Sequence, residues 1–387
     1  MLKWGGVYYN LNTKEKVAEV TSGDDNYEGH VVIPSSITVD DVSYQVVEIK
    51  ENAFKFGYGM KSVAIPSTIT RIGIDAFQYC TAINAVKIED LAAWCSIKFE
   101  NNYSNPLFFA GHLTLNDEVI TDLVIPNTVT SIGDYAFYYG GIASVTIPSS
   151  VKSIGKYALA QCKDLKSLTV PSSVESIGEA AFFGSGLVSF AVPASVKSIE
   201  AHTFYDCDKL ASIIIPNSVT SIGKCAFAEC IGLSSVTIPS SVASIESHAF
   251  FACQNLNSVT CLAENVANTS LDVFMDTEIE EATLAVPEKS LQEYKSMAPW
   301  SGFGTIMAFG GTSICGNPTI SNVSVASANG IVTLSGIDSN GQVSFYSADG
   351  KELGVVDVTD GTVRFAAKAG SVVVAKIGNE SVKIAVW

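Results

Sequence analysis

The chain repeats one short pattern at a nearly constant interval. Its marker is a proline that follows isoleucine or valine, and six successive markers are separated by 22, 23, 22, 23 and 23 residues. These prolines are Pro126, Pro148, Pro171, Pro193, Pro216 and Pro239. Related dipeptides end at Pro34, Pro66 and Pro287. One repeat of this length cannot bury its own apolar face, so the fixed period predicts a solenoid whose successive coils stack and share a core.

One copy, LSSVTIPSSVASIESHAFFAC, shows what each position predicts. Val236 and Ile238 alternate with hydroxyl residues, which is typical of a strand with one side in the core. Pro239 ends that strand because proline has no N–H to donate to a neighbour. Val242 and Ile245 predict a second extended segment on the opposite wall of the coil. The predicted fold class is therefore mainly β, a right-handed parallel solenoid.

Two other repeat positions carry the same residue type in most copies. We expect a phenylalanine column to stack as a buried spine in which Leu159 substitutes once. Its members are Phe54, Phe77, Phe137, Phe182, Phe204, Phe227 and Phe250. Glycines at one turn position predict a tight or positive-φ backbone, although Glu200 and Glu246 replace them in two copies. These glycines are Gly133, Gly155, Gly178 and Gly223.

One segment interrupts the period. Sixty residues separate Pro66 from Pro126, and residues 90–122 within this interval are rich in aromatic side chains. Two interpretations remain open for this segment. It is either an irregular long repeat whose aromatic residues fill the core, or a protruding recognition element.

Composition limits the classes of partner. Hydrophobic residues make up 47% of the 387 residues and charged residues 16%, which is incompatible with disorder. Acids outnumber bases by 39 to 23, and Arg71 and Arg364 are the only arginines, so we expect neither nucleic acid nor an anionic membrane as partner. No apolar run is long enough to span a membrane. The start lacks the apolar region of a signal peptide, so the protein is either cytosolic or its signal has been removed.

The sequence contains no familiar catalytic or cofactor-binding motif, and we expect no enzyme, cofactor or metal site. We interpret the four histidines as surface residues. Five of the nine cysteines follow the spine by three residues and are predicted to be buried free thiols. These are Cys80, Cys162, Cys207, Cys230 and Cys253. The sequence does not assign a state to Cys95, Cys225, Cys261 and Cys315.

The motif SVTIPSSVxSIGxxAFxxCxxL resembles the BspA-like leucine-rich repeat family of bacterial surface proteins, over about residues 45–285. The resemblance implies an N-terminal β cap at 1–44 and a leucine-rich-repeat solenoid at 45–312. The solenoid would include the irregular segment 90–122 and a closing cap at 285–309. It also implies a secreted or surface-displayed protein whose signal peptide has been removed, since most members are secreted or surface-displayed. Some members are adhesins for host matrix proteins.

Residues 317–387 lose the repeat and alternate apolar with polar residues. The sequence SADGKE predicts a hairpin with Asp349 and Gly350 at its tip. About seven short strands predict a small β-sandwich. This region resembles C-terminal sorting-type domains of secreted Bacteroidetes proteins.

We expect a monomer whose solenoid binds a protein or glycan of unknown identity. The candidate contacts are Tyr138, Tyr205 and Phe251 on one edge, with Tyr103 and Phe109 in the irregular segment. A ladder of serine and threonine on the outer strand face either reflects the β propensity of these residues or binds a repetitive polymer, a glycan or a fibrous protein. The alternative function is a structural spacer of the cell envelope, and an enzyme is the least expected class.

Overall fold

A computed structural model gives the fold and divides the chain into two compact units, Met1–Met307 and Ala308–Trp387. It describes residues 1–265, 267–309, 324–328, 331–335, 337, 341–347, 352–368, 372–377 and 380–385. Both fold-class predictions are confirmed: the first unit is a β-solenoid of stacked coils, and the second consists of antiparallel β-sheets. The predicted domain boundaries stay a prediction, since 312 and 317 lie outside the described residues.

One wall of the solenoid is built from the strand that precedes the marker proline, and we call it the first ladder. Its strands pair in parallel with the same repeat positions opposite each other, as Val236 lies opposite Val259. The strands are Glu28–Val32, Gly59–Ile65, Ala85–Ile88, Leu113–Leu115, Asp122–Val124, Ser144–Thr146, Ser189–Ala191, Ser212–Ile214, Ser235–Ile238, Ser258–Cys261, Thr283–Pro287 and Thr305–Phe309. One coil has no such strand, and its Thr169 joins the ladder through an isolated parallel β-bridge with Thr146.

The opposite wall, the second ladder, is formed by the two-residue segments that the sequence predicts as extended. Ile222 lies opposite Ile199 on one side and Ile245 on the other, so these side chains point into the core at every coil. The strands are Arg71–Ile72, Lys98–Phe99, Ser131–Ile132, Ser153–Ile154, Ser176–Ile177, Ser198–Ile199, Ser221–Ile222, Ser244–Ile245 and Asn268–Thr269.

The N-terminal residues form antiparallel strands that begin the second ladder. Val17–Thr21 pairs in parallel with Val42–Ile49, which in turn pairs with Arg71–Ile72. The remaining strands of this region are Leu2–Trp4, Val7–Asn12 and Ser36–Val39. At the other end, a short helix Leu291–Ser296 and the buried Trp300 cover the last coil.

The phenylalanine column is buried along its length and forms a ring stack from Phe182 to Phe250, with a separate stacked pair at Phe54 and Phe77. Phe204 and Phe227 have ring centroids 5.4 Å apart, and Phe227 and Phe250 5.2 Å apart, with nearly parallel planes. Phe274 extends the stack by another ring at 5.6 Å from Phe250. All these rings are almost fully buried, so the spine forms the centre of the core.

Of the two alternatives for the recurring glycines, a tight turn or a positive φ, the structure excludes the positive φ. None of these glycines has a positive φ, which falls instead on the residue two positions later in each copy. In Gly178 a Cβ atom would lie 2.7 Å from the backbone nitrogen of Lys156 in the preceding coil. Close approach of neighbouring coils, rather than a left-handed backbone, therefore favours glycine here.

The irregular segment 90–122 forms a coil of the solenoid. Trp94 and Phe99 lie in the core with their rings 5.2 Å apart, and the segment contributes a strand to each ladder. It also contains the helices Leu91–Ser96 and Leu107–Ala110 and the 3-10 turn Asn102–Ser104. Outside this segment, 3-10 turns also occur at Glu288–Ser290 and Trp300–Gly302. A short hairpin strand, Glu118–Val119, follows Leu113–Leu115.

The second unit contains a three-stranded and a four-stranded antiparallel sheet with its own apolar core. Phe345 and Phe365 stack with centroids 4.1 Å apart. The strands are Ser324–Ala328, Ile331–Ser335, Gln342–Ser347, Glu352–Asp357, Thr362–Ala366, Val372–Ile377 and Glu380–Ala385. The predicted hairpin tip at Asp349 and Gly350 lies outside the described residues.

Candidate functional site

Aromatic rings line the edge of the solenoid where each coil turns back after the spine. Their contacts are continuous from the irregular segment to Tyr205. We call this group the aromatic edge; it comprises Tyr103, Phe108, Phe109, Tyr135, Tyr138, Tyr139, Tyr157, Phe183 and Tyr205.

The backbone of the turns sets the spacing of these rings. Tyr135 and Tyr157 have φ values of 58° and 53°, and the N–H of each donates to a carbonyl oxygen of the next coil. The acceptors are Lys156 at 2.8 Å and Glu179 at 3.0 Å. Because this third line of inter-coil hydrogen bonds fixes successive turns one strand spacing apart, equivalent side chains stand about 5 Å apart along the edge.

Two pairs of rings on the edge lie face to face, while most of the other ring contacts are edge-on. Tyr135 and Tyr157 are 5.2 Å apart with planes at 6°, and Phe183 and Tyr205 are 5.3 Å apart at 20°. Tyr157 meets Phe183 edge-on at 6.2 Å and so joins the two stacks. These two stacked pairs therefore offer ring rims and phenol hydroxyls to a partner, because their facing ring surfaces cover one another.

The expected exposure of Tyr138 is wrong. Its side chain is only 8% exposed because Tyr135, Tyr157 and Phe108 surround its ring. Burial raises the pKa of its hydroxyl well above the ordinary value for tyrosine. The neighbouring Tyr139, which is 36% exposed, takes the outward position.

The other candidate residues fall into two groups. Tyr103 and Phe109 stack at 6.4 Å, and both contact Phe108, which links them to the edge. Phe251 lies apart from the edge, because Ala228 occupies the equivalent position in the intervening coil. Its ring contacts His248 at 5.5 Å.

Sequence reasoning missed a second aromatic cluster on the same edge. Phe56, Tyr58 and Tyr79 are 45%, 57% and 47% exposed, and Phe56 stacks on Tyr79 at 5.3 Å. Lys55 lies over the Phe56 ring and pairs with Asp75 at 3.4 Å. Alignment of the early repeats to the spine would have found this cluster, since Phe56, Tyr79 and Tyr139 each follow a spine residue by two positions.

Acidic side chains stand at the C-terminal end of the aromatic edge. The Tyr205 hydroxyl donates to the Glu229 carboxylate at 2.7 Å, and this hydrogen bond, with burial, raises the pKa of Tyr205 to about 12. Burial and the nearby Glu229 raise the pKa of the Asp206 carboxyl, opposed by Lys163. Among the described residues, no lysine or arginine forms an ion pair with Asp206 or Glu229.

The histidines are not all the surface residues that the sequence suggested. His202 is half-buried, its Nδ1 atom has no hydrogen-bond partner, and burial lowers its pKa. His248 lies 3.3 Å from Asp272, and His30 lies 2.7 Å from the Ser62 hydroxyl. No group of three potential metal ligands occurs within the described ranges.

The outer face of the first ladder is flat and weakly polar. Its side chains are mainly serine and threonine, interrupted by Val124 at 63% exposure and Ile214 at 52%. Among the residues with described side chains, none of the ring contacts characteristic of the aromatic edge occurs on this face. It therefore offers fewer strong contact groups than the aromatic edge does.

Each regular coil contributes one strand to the first ladder and a short segment to the second ladder, and then turns at the aromatic edge. Coils of this kind define a leucine-rich-repeat protein. The family model of the BspA type leucine rich repeat region matches in six copies, over residues 35–106, 113–189 and 176–295. The chain belongs to the BspA-type leucine-rich repeat family. No curated protein matches the chain.

Solved structures with a similar fold come from several bacteria. A leucine rich cell surface protein from Faecalibacterium prausnitzii is 21% identical, with 80% of this chain and 95% of that chain covered and a TM-score of 0.38. The T. pallidum leucine rich repeat protein is 25% identical, with 59% of this chain and 87% of that chain covered and a TM-score of 0.34. The pneumococcal vaccine antigen PcpA is 17% identical, with 80% and 98% covered and a TM-score of 0.38.

Proposed function

We propose that this chain is a non-catalytic, secreted or surface-displayed protein that binds a host matrix protein through its solenoid. The aromatic edge is the observation that supports the proposal. Tyrosine and phenylalanine rings on a rigid backbone are the kind of group that dominates binding energy at protein interfaces. None of the helices in the described part of the chain is long and apolar enough to cross a membrane.

A protein partner fits the edge better than a glycan does. A sugar ring stacks on an exposed aromatic face, whereas the pairs Tyr135–Tyr157 and Phe183–Tyr205 cover each other's faces. Phenol hydroxyls and ring rims instead suit a peptide surface, with hydrogen-bonding groups beside aliphatic side chains. We propose a protein as the partner class, with a glycan as the alternative outcome.

The full chain should be tested on immobilised extracellular-matrix proteins and on a glycan array. The variant Tyr139→Ser, Phe183→Ser, Tyr205→Ser removes three partly exposed rings, and we expect it to weaken matrix-protein binding by at least about thirtyfold. Ile214→Ser is the matched control, because it removes a 52% exposed apolar side chain from the outer strand face.

Equal loss in the control and the triple variant would contradict binding by the aromatic edge. Binding to glycans alone would replace the proposed partner class. Absence of binding to either panel would favour the alternative function, a structural spacer.

A further inference from the structure

A surface pocket of about 420 Å³ lies in the last regular coil of the solenoid. Its apolar lining comes from Leu271, Phe274, Met275 and Ile279, and acidic side chains stand at its rim. Phe274 is buried at 4% exposure and stacks on Phe250, so the floor of the pocket is part of the rigid spine. A preformed concave surface of this kind loses little freedom when a side chain enters it.

The apolar wall of the pocket is open to solvent. Leu271 is 76% exposed and Met275 is 52% exposed, both large fractions for side chains of this size. Met275 follows Phe274 by one position, as Tyr205 and Phe251 follow the spine residues of their own coils. Methionine is flexible and polarisable, which suits an aliphatic side chain of variable shape.

The rim carries negative charge that no lysine or arginine of the described chain pairs with. Residues 271–281 contain five acids and no lysine or arginine. Asp272 is held by hydrogen bonds from Ser247 and Ser270 at 2.8 and 2.7 Å and lies near His248. Asp276 and Glu280 are exposed and form no ion pair with any described residue.

We propose that this pocket docks a cationic amphipathic segment of a partner protein. One aliphatic side chain enters between Leu271 and Met275, and lysine or arginine side chains pair with Asp276 and Glu280. A wholly apolar occupant would desolvate the two carboxylates without compensation, and an anionic one would be repelled. The proposal does not depend on partner binding by the aromatic edge.

The probe is a short fluorescein-labelled helical peptide with one leucine face and one lysine face. Its binding to the full chain is followed by fluorescence anisotropy at about 0.15 M salt, where diffuse attraction between distant charges is screened. We expect saturable binding. An analogue with serine in place of leucine, and one with glutamate in place of lysine, should bind at least about tenfold more weakly. No binding of the leucine–lysine peptide, or equal binding of the serine analogue, overturns the proposal.

Matched variants locate the binding. Asp276→Asn with Glu280→Gln should weaken binding by about tenfold. Asp40→Asn with Asp41→Asn removes the same charge from exposed left-handed turn positions elsewhere and should change it less than about twofold. Equal loss in both pairs would show diffuse attraction to an acidic protein and overturn the docking site.

The apolar half of the pocket has its own control. Met275→Ser should weaken binding of the peptide, whereas Ile214→Ser, at the same 52% exposure, should not. Phe183→Ser on the aromatic edge should also leave the peptide affinity unchanged. If Phe183→Ser alone weakens binding, the peptide occupies the aromatic edge and the pocket proposal fails, while the proposed function does not.

Discussion

The cysteine column shows how one side chain serves the stacking of coils. The thiols of Cys207, Cys230 and Cys253 each donate to the carbonyl oxygen of a spine residue in the preceding coil, at 3.1 Å. Thr277 stands at the same position in the last coil, and its hydroxyl donates to the Phe250 carbonyl at 2.6 Å. This repeat position therefore favours a side chain that is small and that can donate a hydrogen bond.

Burial makes these thiols unreactive in the folded protein. It raises the pKa of Cys80, Cys162, Cys207 and Cys253 to about 12, and that of Cys230 well above its ordinary value. At pH 8 the ionised fraction of these thiols is therefore very small. We expect intact-mass counting with iodoacetamide to show no labelling of these five cysteines until denaturant is added. Among the cysteines that the structure describes, Cys225 is only half-buried, should react first and serves as the internal control. Rapid native labelling of Cys207, Cys230 and Cys253, or their absence from the denatured count, would contradict this expectation.

At the scale of elements, the phenylalanine spine holds the two ladders together. Phe227 contacts rings on both sides at 5.4 and 5.2 Å and has no exposed surface. We expect Phe227→Ala to lower the free energy of unfolding of the solenoid by about 3–5 kcal/mol, because it removes apolar contacts and leaves a cavity in a stack that cannot close locally.

Equilibrium denaturation followed by circular dichroism checks this value. Phe183→Ala, which removes the same side chain from a partly exposed position of the aromatic edge, should lower the stability less. Near-native stability of Phe227→Ala would argue against the central place of the spine in the core.

The sequence predicts those structural elements whose position the repeat period alone determines. Both ladders, the spine and the buried thiols follow from apolar spacing, because the core requires the same residue type at the same position in every coil. The turn conformation was not predictable from glycine, since hydrogen bonds between coils impose positive φ on Tyr157, Ala180 and His202 instead. The burial of Tyr138 was missed because it depends on Phe108, a residue of the irregular segment outside the period.

At the scale of the whole molecule, charge is unevenly distributed along the chain. Residues 1–307 contain 33 acids and 18 bases, a net charge of −15, while residues 308–387 contain 6 acids and 5 bases. Excess charge of one sign destabilises a compact state through repulsion, and salt screens that repulsion.

We expect the thermal midpoint of the solenoid to rise when sodium chloride is increased from low to moderate concentration. Differential scanning calorimetry checks this, with sodium sulfate avoided because it also strengthens burial of apolar surface. A midpoint that falls with sodium chloride would show that ion pairs outweigh the repulsion.

The irregular coil at residues 90–122 interrupts both ladders at one place. The second ladder pauses after Lys98–Phe99, and the first ends in a hairpin before it resumes at Asp122–Val124. The backbone N–H of Gly133 still donates to the Cys95 carbonyl across this break at 2.9 Å, and the Trp94 indole and the Asn105 amide both donate to the Ala136 carbonyl, at 2.8 and 3.2 Å. Because each coil contacts mainly its neighbours, we expect that whole coils can be inserted or removed on either side while these contacts are kept. The number of repeats can then differ among descendants of one ancestral gene. The length of the aromatic edge would differ with it.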